Sequence, residues 1–241
     1  MTLSVIIPLY NEEKRFFKTA KSLEKFISTQ KLFEKCELIF VDDGSTDNTV
    51  KVINDFSRKI PSTLINYKNN RGKGYAIKQG MMHATGDYAL FLDADMSTEP
   101  FEIEKFMVEI RKDSPVIIGS RRSKGSEILI PQPLYRSFMG TVYTIVANII
   151  IGIYIPDFTC GFKCFSRQAK EVIFKKSRVD RWSFDAEILF LAKLNGFNII
   201  TLPISWKNDD TTTVKLSRDI VTSFMDLLKV RIYHVCGKYD K

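Results

Sequence analysis

Two carboxylates one residue apart, Asp93 and Asp95, follow the apolar run Ala-Leu-Phe-Leu at 89–92. At the end of a strand both can turn towards one hard cation, and oxygen ligands suit Mg2+ or Mn2+. Such a cation would neutralise a diphosphate leaving group. The same residues have a plainer use, because Asp95 or Ser97 can cap the turn before Pro100. A second acidic cluster, Asp42-Asp43-Gly44-Ser45-Thr46-Asp47, also follows an apolar run. Its carboxylates can accept hydrogen bonds from a nucleobase imide or a ribose. An Asx-turn with Asp47 capping the next helix would need only one or two of the three. Gly72-Lys73-Gly74 lets a backbone approach closely and offers Lys73 to a phosphate, although the spacing of a Walker A loop is absent.

In the second half, Arg121 and Arg122 precede an apolar segment and Arg136 stands at its edge. Arginine binds phosphate in bidentate fashion, while solvated surface charge is the commoner fate of a single one. Asp185 opens a helix, where the dipole favours a carboxylate, or it is an acid facing a sugar pocket. Trp182 and Trp206 are either sugar-stacking faces or core aromatics. His83 and His234 are the only histidines, and no nucleophile signature lies near them, which argues against a Ser-His-Asp or Cys-His hydrolase.

These residues need a frame. Apolar runs at 4–9, 36–42, 62–66, 87–92 and 115–119 read as strands. Between them are expected a helix running to about residue 28, capped and charged at its start by Asn11-Glu12-Glu13, a second holding Val50, Val52, Ile53 and Phe56, and two more over 75–84 and 101–111. The alternation predicts an α/β layer fold with a largely parallel sheet, polar residues gathering where the strands end. Beyond residue 120 the pattern is less regular. Strands are expected at 161–166 and 198–202, and helices at 184–194 and 218–234. No linker or repeat appears, so residues 1–241 are read as a single domain.

The chain has 241 residues, 44% hydrophobic and 27% charged, which excludes global disorder. Its net charge of +8 points to a polyanionic partner: nucleic acid, anionic lipid or phosphorylated substrate. Residues 1–120 hold 17 basic and 17 acidic side chains, whereas 121–241 hold 19 and 11, so the whole excess lies in the second half. Four cysteines are too few for a disulfide framework, and Cys160 and Cys164 lack the second ligand pair of a zinc site. The first residues do not read as a signal peptide. Residues 138–155 carry no charge and approach the length of a membrane span. The polar Thr141, Thr144 and Asn148 and the flanking prolines favour an interfacial or buried helix instead.

Taken together, VIIPLYNEE, VDDGSTDNT, NNRGKGYAI, FLDADMST and GSRR stand in the order found in family 2 glycosyltransferases, and the chain resembles that family. DFTCGFKCFSR at 157–167 and RWSFDAEIL at 181–189 resemble its branch that transfers glucose or mannose to dolichyl-type polyprenyl phosphates. The resemblance implies the GT-A fold, a Rossmann-like, mostly parallel sheet with flanking helices, and amphipathic membrane-interface helices in the second half. It implies a nucleotide-sugar and metal half at 1–120 and an acceptor half at 121–241. Pro8, Tyr10, Glu12 and Asp42 would line the nucleoside pocket, with Asp43 and Lys73 near the nucleotide sugar. Asp93 and Asp95 would hold Mg2+ or Mn2+, and Arg121 and Arg136 would grip the acceptor phosphate. Ser97 stands where some mannose-transferring relatives have a longer amide ligand, and residues 206–213 match the glucose-transferring pattern only loosely.

The expected activity is inverting transfer of glucose or mannose from UDP-glucose or GDP-mannose to a polyprenyl phosphate. It would take place at the cytoplasmic face of a membrane to which the protein is peripherally attached. A glycan hydroxyl acceptor is the alternative, with Asp185 as the base it would need. Nucleic-acid binding would account for the charge, but no recognition module or aromatic-interleaved basic stripe accompanies it.

Overall fold

The computed structural model describes residues 1–209 and 216–240, with only the backbone for 216–221. Of the stretch 206–213, residues 210–213 therefore lie outside the described residues.

Among the described residues, nine strands and eight α-helices follow one another along the chain. The first part runs β1 (Thr2–Leu9), α1 (Phe16–Thr29), β2 (Lys35–Asp42), α2 (Thr49–Ser57), β3 (Ser62–Asn66), α3 (Lys73–His83) and β4 (Tyr88–Leu92). A 3-10 turn (Pro100–Phe106) and the short α4 (Met107–Ile110) lead to β5 (Val116–Ser120). Then come β6 (Glu127–Ile130), α5 (Leu134–Ile151), β7 (Phe162–Ser166), α6 (Arg167–Lys176) and α7 (Phe184–Leu194). The last elements are β8 (Ile199–Pro203), β9 (Ser205–Lys207) and α8 (Leu216–Val235).

The central sheet has the order β3-β2-β1-β4-β7-β5-β8. Every pairing is parallel except those of β7, which runs antiparallel between β4 and β5. Both faces are covered, and alternate residues feed two cores. Ile6, Ile39, Val41 and Phe91 point to one, and Val5, Ile7, Phe40 and Leu90 to the other. The largely parallel α/β sheet matches the expectation. The antiparallel β7 and the small parallel pair β6–β9 do not follow from local pattern, because their partners are remote in sequence.

Two local expectations need correction. Asn11-Glu12-Glu13 does not cap α1, which starts at Phe16 without a side-chain cap. Asn11 is left-handed (φ 54°) and its Oδ1 accepts from Thr46 N at 2.8 Å, while Glu12 N donates to Thr49 Oγ1 at 2.7 Å. The segment is used to bind the 45–49 loop. The helix expected over 101–111 is mostly the 3-10 turn, with a single α-turn after it.

Residues 138–151 of the uncharged segment lie in α5, which starts earlier at Leu134 and includes Arg136, and among the described residues α5 is the one helix long and apolar enough to cross a membrane. Only Thr144, Ala147 and Ile151 are buried, whereas Leu134, Phe138, Ile145 and Ile149 are exposed. The polar Asn148 serves the exit from the helix: its side chain accepts from Ile155 N at 2.7 Å and donates to Ile155 O at 3.0 Å. Gly152 ends the helix in the left-handed region (φ 75°), where glycine carries no Cβ penalty. Helix α8 packs against α5 and leaves Met225, Leu228, Ile232 and Val235 exposed.

Candidate active site

The sheet is built outward in both directions from β1, with β2 and β3 on one side and β4 on the other. Loops leaving the carboxyl ends of these strands meet over the crevice where open α/β sheets bind ligands.

At the β2 end, Asp42 is 2% exposed. Its Oδ2 accepts from Ser45 N at 3.2 Å, but the buried Oδ1 has no donor. Burial raises its pKa, against the opposing bonds from Ser45. A buried acceptor without a donor suits an N–H or O–H brought by a ligand. Pro8 is buried in β1, and Tyr10 is exposed beside it. Glu12 is buried and tied to Arg15, whose Nε donates to its Oε2 at 2.7 Å. Burial raises the Glu12 pKa, and Asp95 and Asp209 add to the effect.

Asp43 has a different task from its neighbour. Its Oδ1 accepts from Tyr67 Oη and Arg71 N, both at 2.8 Å, and its Oδ2 from Asn70 Nδ2 at 2.8 Å and Gly72 N at 2.9 Å. Both oxygens are occupied by the chain itself, so Asp43 shapes the 67–72 loop.

That loop delivers Lys73, the first residue of α3, to the carboxylates after β4. Lys73 Nζ lies 2.5 Å from Asp93 Oδ1 in a close ion pair. Burial lowers the Lys73 pKa, but the Asp93 and Asp185 carboxylates outweigh it and the net direction is up. Asp95 Oδ1 accepts from Ser97 N at 2.8 Å, and burial followed by repulsion from Asp93 raises its pKa. Two carboxylates crowded enough to repel each other at the end of a strand are suited to a hard divalent cation. Among the described residues no third His, Cys, Asp or Glu joins them as a metal-holding group.

Lys73, Asp93 and Asp95 open into a cavity of about 340 Å3 whose far wall includes Arg136, Tyr143, Trp182 and Trp206. Arg121 and Asp185 also line it, but both are engaged. Arg121 Nε and Nη2 each donate to buried Asp157 at 2.8 Å, and Nη2 reaches Thr159 Oγ1 at 2.7 Å. Burial raises the Asp157 carboxyl, yet the Arg121 guanidinium overrides that and holds it down at about 2. Asp185 is ion-paired with the fully buried Lys163, which also donates to Phe158 O at 2.9 Å and Cys160 O at 2.6 Å. Burial raises the Asp185 pKa, while Lys163 and Lys73 oppose the shift. Arg136 lies against its own neighbour Tyr135, and among the described residues its guanidinium has no carboxylate at ion-pair distance.

Of the residues singled out in the sequence, Lys73, Asp93, Asp95, Arg121, Arg136 and Asp185 thus share one cavity. Pro8, Tyr10, Glu12, Asp42 and Asp43 occupy the adjoining strand ends. Asp157, Thr159 and Lys163 were missed as individuals, although all three stand in the DFTCGFKCFSR stretch. A lysine inside the apolar run Phe162-Lys-Cys-Phe165 was the available signal, since a buried lysine needs dedicated partners.

A family model described as glycosyl transferase family 2 matches residues 4–174. The chain is 33% identical to dolichyl-phosphate beta-glucosyltransferase ALG5A of Trichomonas vaginalis, over 98% of this chain and 75% of that one. It is 34% identical to the dolichyl-phosphate beta-glucosyltransferase of Saccharomyces cerevisiae, over 98% and 76%. Among solved structures, glucosyl-3-phosphoglycerate synthase from Mycobacterium tuberculosis with phosphoglyceric acid superposes with a TM-score of 0.69. It is 17% identical over 95% of this chain and 79% of that one. The same enzyme has been solved with Mn2+, UDP-glucose and phosphoglyceric acid, and superposes at 0.64, with 16% identity over the same shares.

Proposed function

The chain belongs to glycosyl transferase family 2, its core is a GT-A fold, and from that membership we propose that it is an inverting hexosyltransferase acting on a polyprenyl phosphate. The hexose comes from a nucleotide diphosphate sugar and the acceptor is of the dolichyl type. The observation that carries this reading is the shared cavity, where Lys73, Asp93 and Asp95 meet Arg136 and the inner side of the apolar helix α5.

An oxygen of the acceptor phosphate attacks the anomeric carbon. The bond from that carbon to the β-phosphate oxygen breaks, its electron pair leaves with the nucleoside diphosphate, and the anomeric configuration inverts. A phosphate monoester is already anionic at neutral pH, its second pKa being about 6, so the site needs alignment rather than a base. Asp42 Oδ1 accepts from the nucleoside, and Pro8, Tyr10 and Glu12 border the same pocket. Lys73 meets the diphosphate. Asp93 and Asp95 are the residues that would hold Mg2+ or Mn2+, which when bound neutralises charge developing on the leaving diphosphate. Arg136 takes the acceptor phosphate. Arg121, engaged by Asp157, orients the 157–161 loop and contributes field rather than a direct grip. A phosphate acceptor needs no base, which fits a site whose candidate base, Asp185, is already ion-paired with Lys163.

UDP-glucose is the preferred donor and GDP-mannose the second choice, because the named relatives are glucosyltransferases. The exposed apolar faces of α5 and α8 lie against the bilayer, and the basic second half is drawn to anionic lipid on the cytoplasmic face. The test is to incubate purified protein with Mg2+ or Mn2+, UDP-glucose or GDP-mannose, and a short polyprenyl phosphate in detergent, and to identify the lipid product by mass. A hexosyl-phosphoryl prenol supports the reading. Transfer to an oligosaccharide in its place, or hydrolysis of the donor alone, overturns it.

A further inference from the structure

Two buried polar side chains that do not line the cavity, Tyr239 and Glu187, are used by nothing described so far. Both are 0% exposed. Tyr239 Oη donates to Glu187 Oε1 at 2.6 Å. The Tyr239 ring is also enclosed by Phe190 and Tyr233. Burial and the neighbouring Glu187 push the Tyr239 pKa up, so the proton stays on the phenol. Glu187 further accepts from Arg178 N at 2.9 Å and Val179 N at 2.8 Å, and the Arg178 guanidinium returns to Lys238 O, with Nη2 at 2.8 Å. The backbone at 178–180 is therefore clamped between α7 and the 238–239 segment.

The other side of that strap bears on the donor loop. Tyr75 N donates to Asp180 O at 3.0 Å. A Cβ added at Gly72 would fall 2.4 Å from Asp180 O, and one added at Gly74 would fall 2.6 Å from Val179 O. Both glycines are thus in direct backbone contact with the strap. Between them stands Lys73, whose ammonium meets Asp93.

We propose that residues 238–239 are a positioning element for the nucleotide-diphosphate pocket, acting through Glu187 and the 178–180 strap on the Gly72–Lys73–Gly74 turn. The proposal rests on the functional reading above. The hydrogen bonds of the segment run to Glu187 and Arg178, which hold the strap, so its influence falls first on the donor turn. Contiguous packed and hydrogen-bonded contacts are what carry coupling of this kind.

The test is calorimetric titration of UDP, or of GDP if the wild type prefers it, with Mg2+, together with donor and acceptor KM values. Tyr239→Phe keeps the ring and removes the bond. It is expected to weaken nucleotide binding and raise donor KM by about 3- to 10-fold while acceptor KM stays at the wild-type value. Ile110→Val, a core change on α4 away from the strap, serves as a stability control and leaves both KM values unchanged. Arg178→Met, at a more exposed position, gives a smaller shift in the same direction and covers the case in which Tyr239→Phe does not fold. Wild-type nucleotide affinity in both variants, or equal loss of donor and acceptor affinity, overturns the proposal. A wild type that binds neither nucleotide overturns instead the functional reading beneath it.

Discussion

Gly161 lies so close to Asp93 that a methyl group added to it would fall 2.1 Å from Asp93 Oδ2. Glycine at this position lets the loop entering β7 seat against a carboxylate presented after β4. Gly161→Ala must therefore push the Asp93 carboxylate aside. A misplacement of about 1 Å at a reacting centre can cost about 100-fold in rate. The variant is expected to lose about that much transfer activity while its circular dichroism stays native, and to need more Mg2+ or Mn2+ for half-maximal rate.

Asp95→Ala removes one of the two crowded carboxylates. Transfer is expected to fall by about 1000-fold, the range seen when one electrostatic stabiliser of a transition state is lost. Chelator added to the wild type should give a similar loss, reversed by Mg2+ or Mn2+. Full turnover by Asp95→Ala in the presence of chelator would sink the metal assignment.

Arg121 and Arg136 should separate cleanly. On the proposed reading Arg136→Ala removes a charge-assisted contact to the acceptor, and it is expected to raise acceptor KM by about 10- to 100-fold, with donor KM unchanged. Arg121→Ala strands Asp157, whose side chain is 0% exposed. Breaking a buried pair from one side costs about 3–5 kcal/mol, so this variant should show a melting temperature about 10 °C lower. Thermal denaturation and initial-rate kinetics on both variants decide the point.

The same pair gives a pH signature. Asp157 has its pKa depressed from an ordinary 3.8 to about 2. A depressed carboxyl contributes stability that is present above the unfolded value and is lost as pH falls through the folded one. The Arg121–Asp157 contribution, on the order of 2 kcal/mol, is thus full above about pH 4 and fades between about 4 and 2. Acid unfolding followed by fluorescence should show this component in the wild type and lack it in Arg121→Met/Asp157→Leu. An identical acid transition in the two proteins would refute it.

Much of this was legible in the sequence for a physical reason. Strands buried on both faces must be continuous apolar runs, so β1, β2 and β4 stand out, and carboxylates directly after them can only lie at the sheet edge. Asp42, Asp93 and Asp95 were found in that way. What escaped depends on partners distant in sequence. Nothing in VDDG distinguishes Asp42, with an undonated oxygen, from Asp43, whose oxygens take four donors from residues 67–72. Nothing near Arg121 announces that Asp157, 36 residues on, will claim its guanidinium. The antiparallel β7 was read as a strand, but its place between β4 and β5 is fixed by long-range pairing that local pattern does not carry.

That place of β7 bears on how the molecule can be rearranged. Chain from beyond residue 160 is hydrogen-bonded between two strands from before residue 121. A cut near residue 121 would leave β4 with an open edge and β5 without either neighbour. On the proposed reading, the parts that bind donor and acceptor are therefore not exchangeable modules. A chimera that imports the second part from a relative also imports the strand beside Asp93, so altering the choice of acceptor by recombination would disturb the handling of the donor.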